Sequence, residues 1–277
     1  MPELPEVETV RRSLEPALYD GEIVGITTSE LNLRQRPIER AAMKKALVGA
    51  RFTAARRHGK YLVLDTSAAH SLVVHLGMAG RLLLEGAASI AQKHTHVAIA
   101  LSSGRVLRFV DPRRFGIVRV YPTKALGEVA ELAALGPDPL TGAFEEETLR
   151  AALLGTRRDL KSTLLDQRVV AGLGNIYVSE ALFEAGLSPR RRADRLTAAE
   201  GSALHRAIRV VLDRGVENRG TSFSDYVDAD GNKGGNQHLL KVYGRTGEPC
   251  LRCDGKVRRM VQAQRSSFYC PRCQRVA

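Results

Sequence analysis

From Glu22 to Tyr121 the chain alternates short runs of aliphatic and β-branched residues with turn residues: Glu22–Thr27, Tyr61–Asp65, Leu72–Leu76, Arg81–Glu85, Val97–Leu101, Val106–Val110 and Ile117–Tyr121. Runs of this length and spacing predict a β-sandwich or barrel, with Ser103-Gly104 as a hairpin turn between two of them. Ahead of them Leu4, Val7, Val10 and Leu14 recur at helical spacing, and Pro5 suits the first helical position, so the strands are led by a helix. Leu135-Gly136-Pro137-Asp138-Pro139-Leu140 breaks the pattern and predicts a linker over residues 135–142. Helical periodicity follows. Thr197-Ala198-Ala199-Glu200 reads as a capping box, and Leu204, Ile208, Val211 and Leu212 form an apolar stripe running to Gly215. Between Gly220 and Leu239, the stretch from Asp228 to Asn236 has almost nothing apolar to bury and predicts a mobile loop. The expected fold class is α+β, with domains over residues 1–134, 143–240 and 241–277.

Composition narrows the function. A chain of 277 residues has room for two domains or for one with attachments. With 44% hydrophobic residues and no apolar run near the roughly 18–20 residues of a membrane span, a soluble globular protein with no membrane partner is expected. Forty-two Lys and Arg against 30 Asp and Glu leave a net charge of +12 and a pI near 9.9, which points to nucleic acid, although a solvated basic surface carries the same charge. The start, Met1-Pro2-Glu3-Leu4-Pro5-Glu6-Val7-Glu8, has acids and prolines where a secretory signal needs basic residues and an apolar stretch, so a cytoplasmic protein is expected.

All four cysteines fall in the last 28 residues, as Cys250-x2-Cys253-x16-Cys270-x2-Cys273. Two Cys-x2-Cys knuckles each turn two thiolates toward one point and suit a tetrahedral Zn²⁺. Two disulfides would need an oxidising compartment for which there is no signal. No ligand position is left open, so one structural zinc is expected. At the other end, removal of Met1 would give Pro2 a free secondary amine, with a pKa near the roughly 7.7–8.0 of an α-amino group. Such an amine can attack an electrophilic carbon and form an iminium, with Glu3 and Glu6 within one turn to move protons. Proline and glutamate also suit a plain helix N-terminus, and on these residues alone that is the simpler reading.

Three further stretches carry candidate chemistry. In Lys161-(x4)-Asp166-(x5)-Gly172-Leu173-Gly174-Asn175, a short helix meets a glycine turn and a new helix; Asn175 as its cap would aim N–H groups at an anion such as a DNA phosphate. Asp111-Pro112-Arg113-Arg114-Phe115-Gly116, between two predicted strands, offers cationic donors and an apolar wedge able to enter a base stack, or else a solvated turn with Phe115 folded inward. Lys60 ends a basic run able to meet phosphate. Met78 and His75 read as core residues.

Taken together, Pro2-Glu3-Leu4-Pro5-Glu6-Val7-Glu8-Thr9, His75-Leu76-Gly77-Met78, Asp111-Pro112-Arg113-Arg114-Phe115-Gly116, Gly174-Asn175-Ile176-Tyr177 and the four-cysteine tail resemble the bacterial formamidopyrimidine-DNA glycosylase family, end to end and in the same order. The resemblance implies a catalytic N-terminal helix on a β-sandwich, a helix–two-turn–helix domain and a C-terminal zinc-binding β-hairpin, acting as a monomer on double-stranded DNA. It implies excision of oxidised purines, 8-oxoguanine and formamidopyrimidines, followed by strand cleavage through β,δ-elimination. Pro2 would be the nucleophile, Glu3 the proton-transfer residue and Glu6 its support. Lys60 and Arg265 would act in the eliminations, with Arg265 and Asn175 clamping phosphates. Met78, Arg113 and Phe115 would fill the gap left by the extruded nucleotide, Arg113 facing the orphaned cytosine; His94 and Lys161 match further DNA-contact positions. Two departures stand out. Thr156 replaces a frequent basic residue, for which Arg157 is the substitute, and Gly234-Gly235-Asn236-Gln237-His238 lacks the aromatic that many relatives carry before Gln237 in the loop that caps the damaged base.

Overall fold

A computed structural model describes residues 1–90 and 92–275. They form two compact units: Met1–Ala133 with Asn218–Gln237, and Ala134–Glu217 with His238–Ala277.

The first unit opens with helix α1 (Leu4–Leu18) and contains strand β1 (Ile23–Thr28), helix α2 (Arg40–Leu47) and strands β2 (Phe52–His58), β3 (Tyr61–Thr66), β4 (His70–His75), β5 (Arg81–Gly86), β6 (Thr95–Leu101), β7 (Arg105–Val110) and β8 (Ile117–Pro122), with the short helix α3 (Ala130–Ala133) at its end. The strands make two antiparallel four-stranded sheets, ordered β1-β6-β7-β5 and β2-β3-β4-β8. Leu62, Leu64, Leu72 and Val74 of the second sheet share one buried cluster with Leu82, Leu84, Val97, Ile99, Leu107 and Phe109 of the first, so the expected sandwich is present. The helical stripe Val7, Val10, Leu14 and Leu18 joins the same core, which fixes α1 and therefore the first residues of the chain. Gly104 takes φ +78° in the β6–β7 turn, as the Ser-Gly signal required.

Strand β2 and helix α2 were not foreseen. The strand reads Phe-Thr-Ala-Ala-Arg-Arg-His, too polar to signal itself. Its arginines are satisfied by distant partners: Arg56 by Asp65 and Arg57 by Glu8. Helix α2 buries only Met43 and Leu47, too narrow a stripe to stand out.

Glu8 ties α1 to β2. Its carboxylate lies 3.0 Å from Arg11, 2.8 Å from Arg12 and 3.0 Å from Arg57. Burial opposes the charge, but the hydrogen bonds from Arg11 and Arg12 and the charges of Arg11 and Arg57 outweigh it and hold the carboxyl at about 2 instead of the ordinary 4.5. A depressed carboxylate stabilises the fold fully above its unfolded pKa and loses that contribution as pH falls through the folded one. Stability from urea unfolding is therefore expected to fall between pH 4.5 and about 2, and Glu8→Gln is expected to flatten the slope in that window. An unchanged slope in the variant would assign acid sensitivity elsewhere.

The loop from Asn218 to Gln237 belongs to the first unit, although it follows the helical segment in the chain. Tyr226 and Ala229 enter the sandwich core, where Ala229 N–H donates to Ser13 Oγ and Ala229 O accepts the Leu84 N–H. The stretch expected to be mobile is held by its polar groups: Asp228, buried, accepts the N–H groups of Asp230 and Asn232 and pairs with Arg219.

The second unit holds helices α4 (Glu146–Leu154), α5 (Leu160–Leu164), α6 (Asn175–Glu184) and α7 (Ala198–Glu217), and strands β9 (Arg258–Gln262) and β10 (Arg265–Tyr269). The capping box at α7 is present: Thr197 N–H donates to Glu200 Oε2 at 2.8 Å, and Glu200 N–H to Thr197 Oγ1 at 3.3 Å. The proline-rich stretch near residue 137 is irregular but pinned, with Gly136 N–H donating to Gln167 O and Ala171 N–H to Pro137 O. The cap of α6 is Gly174 rather than Asn175, which is the first helical residue and uses its side chain elsewhere.

Candidate active site

Glu3 caps α1, Leu4 is its first residue and Pro5 its second, one place later than the sequence suggested. Pro2 is buried just ahead of it, beneath an exposed Met1. Both Glu3 and Glu6 are buried. Glu6 Oε2 accepts the Glu3 N–H at 2.8 Å, one half of a capping box. Its Oε1 accepts the N–H of Thr221 at 2.7 Å, from the loop some two hundred residues onward. Gly220 has φ +78°, and a Cβ there would stand 2.9 Å from Glu6 Oε1, so only glycine lets this backbone pass so close to the carboxylate. Tyr226 donates its hydroxyl to Glu6 O at 3.2 Å; burial and the Glu6 charge push this phenol up, keeping it protonated.

Lys60 is buried just ahead of β3, after Gly59 with φ +56°. On the adjoining strand His75 faces Tyr61, their rings 4.7 Å apart. Burial and the Lys60 charge push the His75 imidazole down to about 4, so it is neutral near pH 7. Its Nδ1 accepts the Gly77 N–H at 3.1 Å, which leaves the proton on Nε2. Sequence reasoning took His75 for a core residue; it keeps some exposure and stands by a lysine and a loop that exposes Met78.

That loop meets the arginine turn. Gly77, at φ +63°, lies against Phe115 and Gly116 so closely that a Cβ would fall 2.6 Å from their backbone. Asp111, fully buried, organises the turn by accepting the N–H groups of Arg113 at 3.1 Å and Gly116 at 2.8 Å, and its own N–H donates to His94 O at 3.0 Å. Met78 is 42% exposed, which overturns its reading as a core residue. Phe115 is half-buried, not folded inward, and the guanidinium carbons of Arg113 and of Arg34 each stand 5.4 Å from its ring centre. His94 and Arg114 hold φ +68° and +62°, a strained state for non-glycine residues that clusters at functional sites. Met78, His94, Arg113 and Phe115 thus share one exposed rim; Arg34, from a segment with no periodicity, was not foreseen.

In the second unit, Arg265 is exposed at the head of β10, next to a two-residue turn in which Ala263 and Gln264 have φ +45° and +59°. Arg265 borders a cleft of about 190 Å³ lined by Arg158, Ser162, Leu165, Asp166 and Ala263. Asn175 Nδ2 donates to Ser266 O at 3.0 Å, while its Oδ1 is buried with no hydrogen-bond partner among the described residues. Lys161 is 1% exposed, and its ammonium donates to Ser266 O at 2.6 Å and Ser267 Oγ at 2.7 Å. It therefore holds the strand that carries Arg265 and does not present its charge at the surface. Arg157 is exposed. Glu180, buried on α6 and missed in the sequence, accepts the N–H groups of Lys241, Val242 and Tyr243 at 2.8–2.9 Å and anchors the approach to the hairpin.

The four cysteine sulfurs lie within 4.8 Å of one another and none is in a disulfide. Cys250 and Cys273 are 3.9 Å apart, Cys253 and Cys270 3.6 Å. A tetrahedral ion with Zn–S bonds of about 2.3 Å requires sulfur separations of about 3.8 Å, so the donor set fits Zn²⁺.

Family models match along the chain: the formamidopyrimidine-DNA glycosylase N-terminal domain over residues 1–118, its H2TH domain over 135–227, and the zinc finger found in FPG and IleRS over 247–276. The chain is 47% identical over 285 residues to a formamidopyrimidine-DNA glycosylase of Ruegeria pomeroyi, covering 99% of this chain and 100% of that one, and 45% identical to that of Desulforamulus reducens, covering 99% of each. Among solved structures, MutM (Fpg) of Thermus thermophilus superposes with a TM-score of 0.89 at 41% identity over the full length of both chains. Lactococcus lactis Fpg in complex with abasic-site DNA does so with 0.90 at 33% identity, covering 99% of each. The chain belongs to the formamidopyrimidine-DNA glycosylase family. Its last segment is that family's zinc finger, and no helix among the described residues is long and apolar enough to cross a membrane.

Proposed function

We propose that this chain removes oxidised purines, 8-oxoguanine and formamidopyrimidines, from double-stranded DNA in the cytoplasm and then cuts the strand through an imine on Pro2. The nitrogen of Pro2, freed of Met1, attacks C1′ of a nucleotide turned out of the stack. The glycosidic bond breaks, its electron pair leaves with the base, and a proton completes the departing base. Glu3 protonates O4′ as the sugar opens to the iminium. Loss of a C2′ proton then expels the 3′ phosphate, a second elimination expels the 5′ phosphate, and water releases the proline. Lys60 and His75 offer a cation and a neutral N–H donor to phosphate, and Arg265 and Asn175 offer donors from the second unit. Met78, Phe115 and Arg113 support the vacated position, with His94 on the same rim and Arg157 as an outer phosphate contact. Zinc supplies no chemical step; it holds the hairpin.

The observation that carries this reading is the pair of buried glutamates at the turn that begins with Pro2, one of them locked by two backbone N–H donors. Borohydride reduces an imine to a stable amine. Incubation with an 8-oxoguanine duplex and borohydride is expected to give a covalent protein–DNA adduct mapping to a chain that begins at Pro2. Tight binding with intact DNA and no adduct would make the protein a damage-binding factor; full activity from a preparation that retains Met1 would remove Pro2 as the nucleophile.

A further inference from the structure

The loop Asn218–Gln237 is zipped at its base by two limbs. Gly235 N–H donates to Asn218 O at 2.8 Å and Asn236 N–H to Gly220 O at 3.0 Å. Gly234 N–H donates to Ser222 Oγ at 3.0 Å, and Ser222 N–H to Gln237 Oε1 at 2.9 Å. The limbs are so close that a Cβ on Gly234 would lie 2.2 Å from Gly220 O. A bond between two side chains also crosses this zip: Asn236 Nδ2 donates to Thr221 Oγ1 at 2.9 Å, with Asn236 1% and Thr221 4% exposed. Thr221 is the residue whose N–H holds Glu6 Oε1, and the other oxygen of Glu6 holds the N–H of Glu3, the amide next to Pro2.

From this chain of bonds, we infer that Asn236 is a positioning residue for the Glu6 carboxylate and, through it, for the amine of Pro2. An apolar side chain at position 236 would fill the space but could not donate to Thr221. The seating of the return limb and the aim of the nucleophile are therefore linked in this protein: without the Asn236 donor, Thr221 loses its side-chain tether and Glu6 the fixed donor that orients it. The inference rests on the reading of Pro2 as nucleophile.

The test uses the full-length protein and three substitutions. Asn236→Ala removes the donor, Thr221→Val removes the acceptor while keeping shape, and Thr221→Ser keeps the hydroxyl. The quantities measured are the single-turnover rate of borohydride-trappable adduct on a preformed abasic-site duplex and the Kd for a duplex bearing a tetrahydrofuran abasic analogue. Misorientation remote from the chemistry is expected to slow adduct formation about tenfold in Asn236→Ala and in Thr221→Val. Kd should stay within about twofold, because the interaction serves the reacting geometry and not ground-state binding. Thr221→Ser should restore the rate, and the double variant Asn236→Ala, Thr221→Val should be no slower than the slower single one, since both remove the same bond. Unchanged trapping in the single variants, slowing that tracks a loss of affinity, or fully additive slowing would each overturn the inference. If Asn236→Ala does not fold, the contrast between Thr221→Val and Thr221→Ser decides alone. Failure of the wild-type protein to trap at all would instead refute the underlying reading of Pro2.

Discussion

Pro2→Gly is expected to abolish most borohydride trapping on 8-oxoguanine DNA while leaving affinity for the abasic analogue nearly intact. Glycine keeps an amine but loses the ring that fixes its lone pair against α1, and a nucleophile that is no longer held in an attacking geometry forfeits on the order of 10²-fold or more in rate. Glu3→Gln makes the matching case for the proton. It preserves the size of the buried N-cap but cannot transfer a proton, and losses of about 10²–10⁴-fold are usual for a general acid–base group. The two variants should differ in what accumulates: Pro2→Gly gives little adduct at any time, whereas Glu3→Gln forms adduct slowly but can still trap on a preformed abasic site. Loss of DNA affinity in parallel with trapping would make Pro2 a structural residue of the helix start.

Cys253→Ser is expected to release zinc and with it the affinity for lesion DNA. A structural Zn²⁺ contributes on the order of 10–16 kcal/mol to the segment it organises, and the small cluster around it, Phe183, Val242, Cys250, Val257 and Cys270, is too slight to replace that. Arg265 stands only five residues before Cys270, so loss of the knuckles frees its strand except where Lys161 and Asn175 hold Ser266 O. Arg265→Ala should behave differently. It should keep zinc, by metal analysis, and the fold, by circular dichroism, while the slope of log K against log salt falls by about 0.9, the value of one phosphate contact. If Cys253→Ser binds lesion DNA as tightly as wild type, the hairpin is not the clamp.

The features legible in the sequence are those whose cause lies within a few residues. Two Cys-x2-Cys knuckles, the Thr197–Glu200 capping box, the Gly104 turn and the apolar alternation of the strands each act over short stretches of chain, so spacing alone reveals them. Pro2, Glu3 and Glu6 sit together at a single helix start, where spacing alone suits a plain N-terminus, and only the resemblance reads chemistry into them. The contacts that complete their surroundings have no such local cause. Thr221 meets Glu6 across 215 positions, Lys161 meets Ser266 across 105, and β2 is held by its ladder with β3 and by Phe52 in the core, while Asp65 and Glu8 pair its arginines. No local pattern announces such pairings, since a polar residue reads the same whether its partner is water or a buried group from another element. The sequence by itself therefore determined the groups on hand, a proline after Met1, two glutamates, a set of cations and four cysteines. Tertiary structure decided which of these groups are presented and which are spent on holding others. Burial turned Lys161 into a brace and left Met78 exposed, because the free energy of a polar or apolar group depends on what the fold places around it.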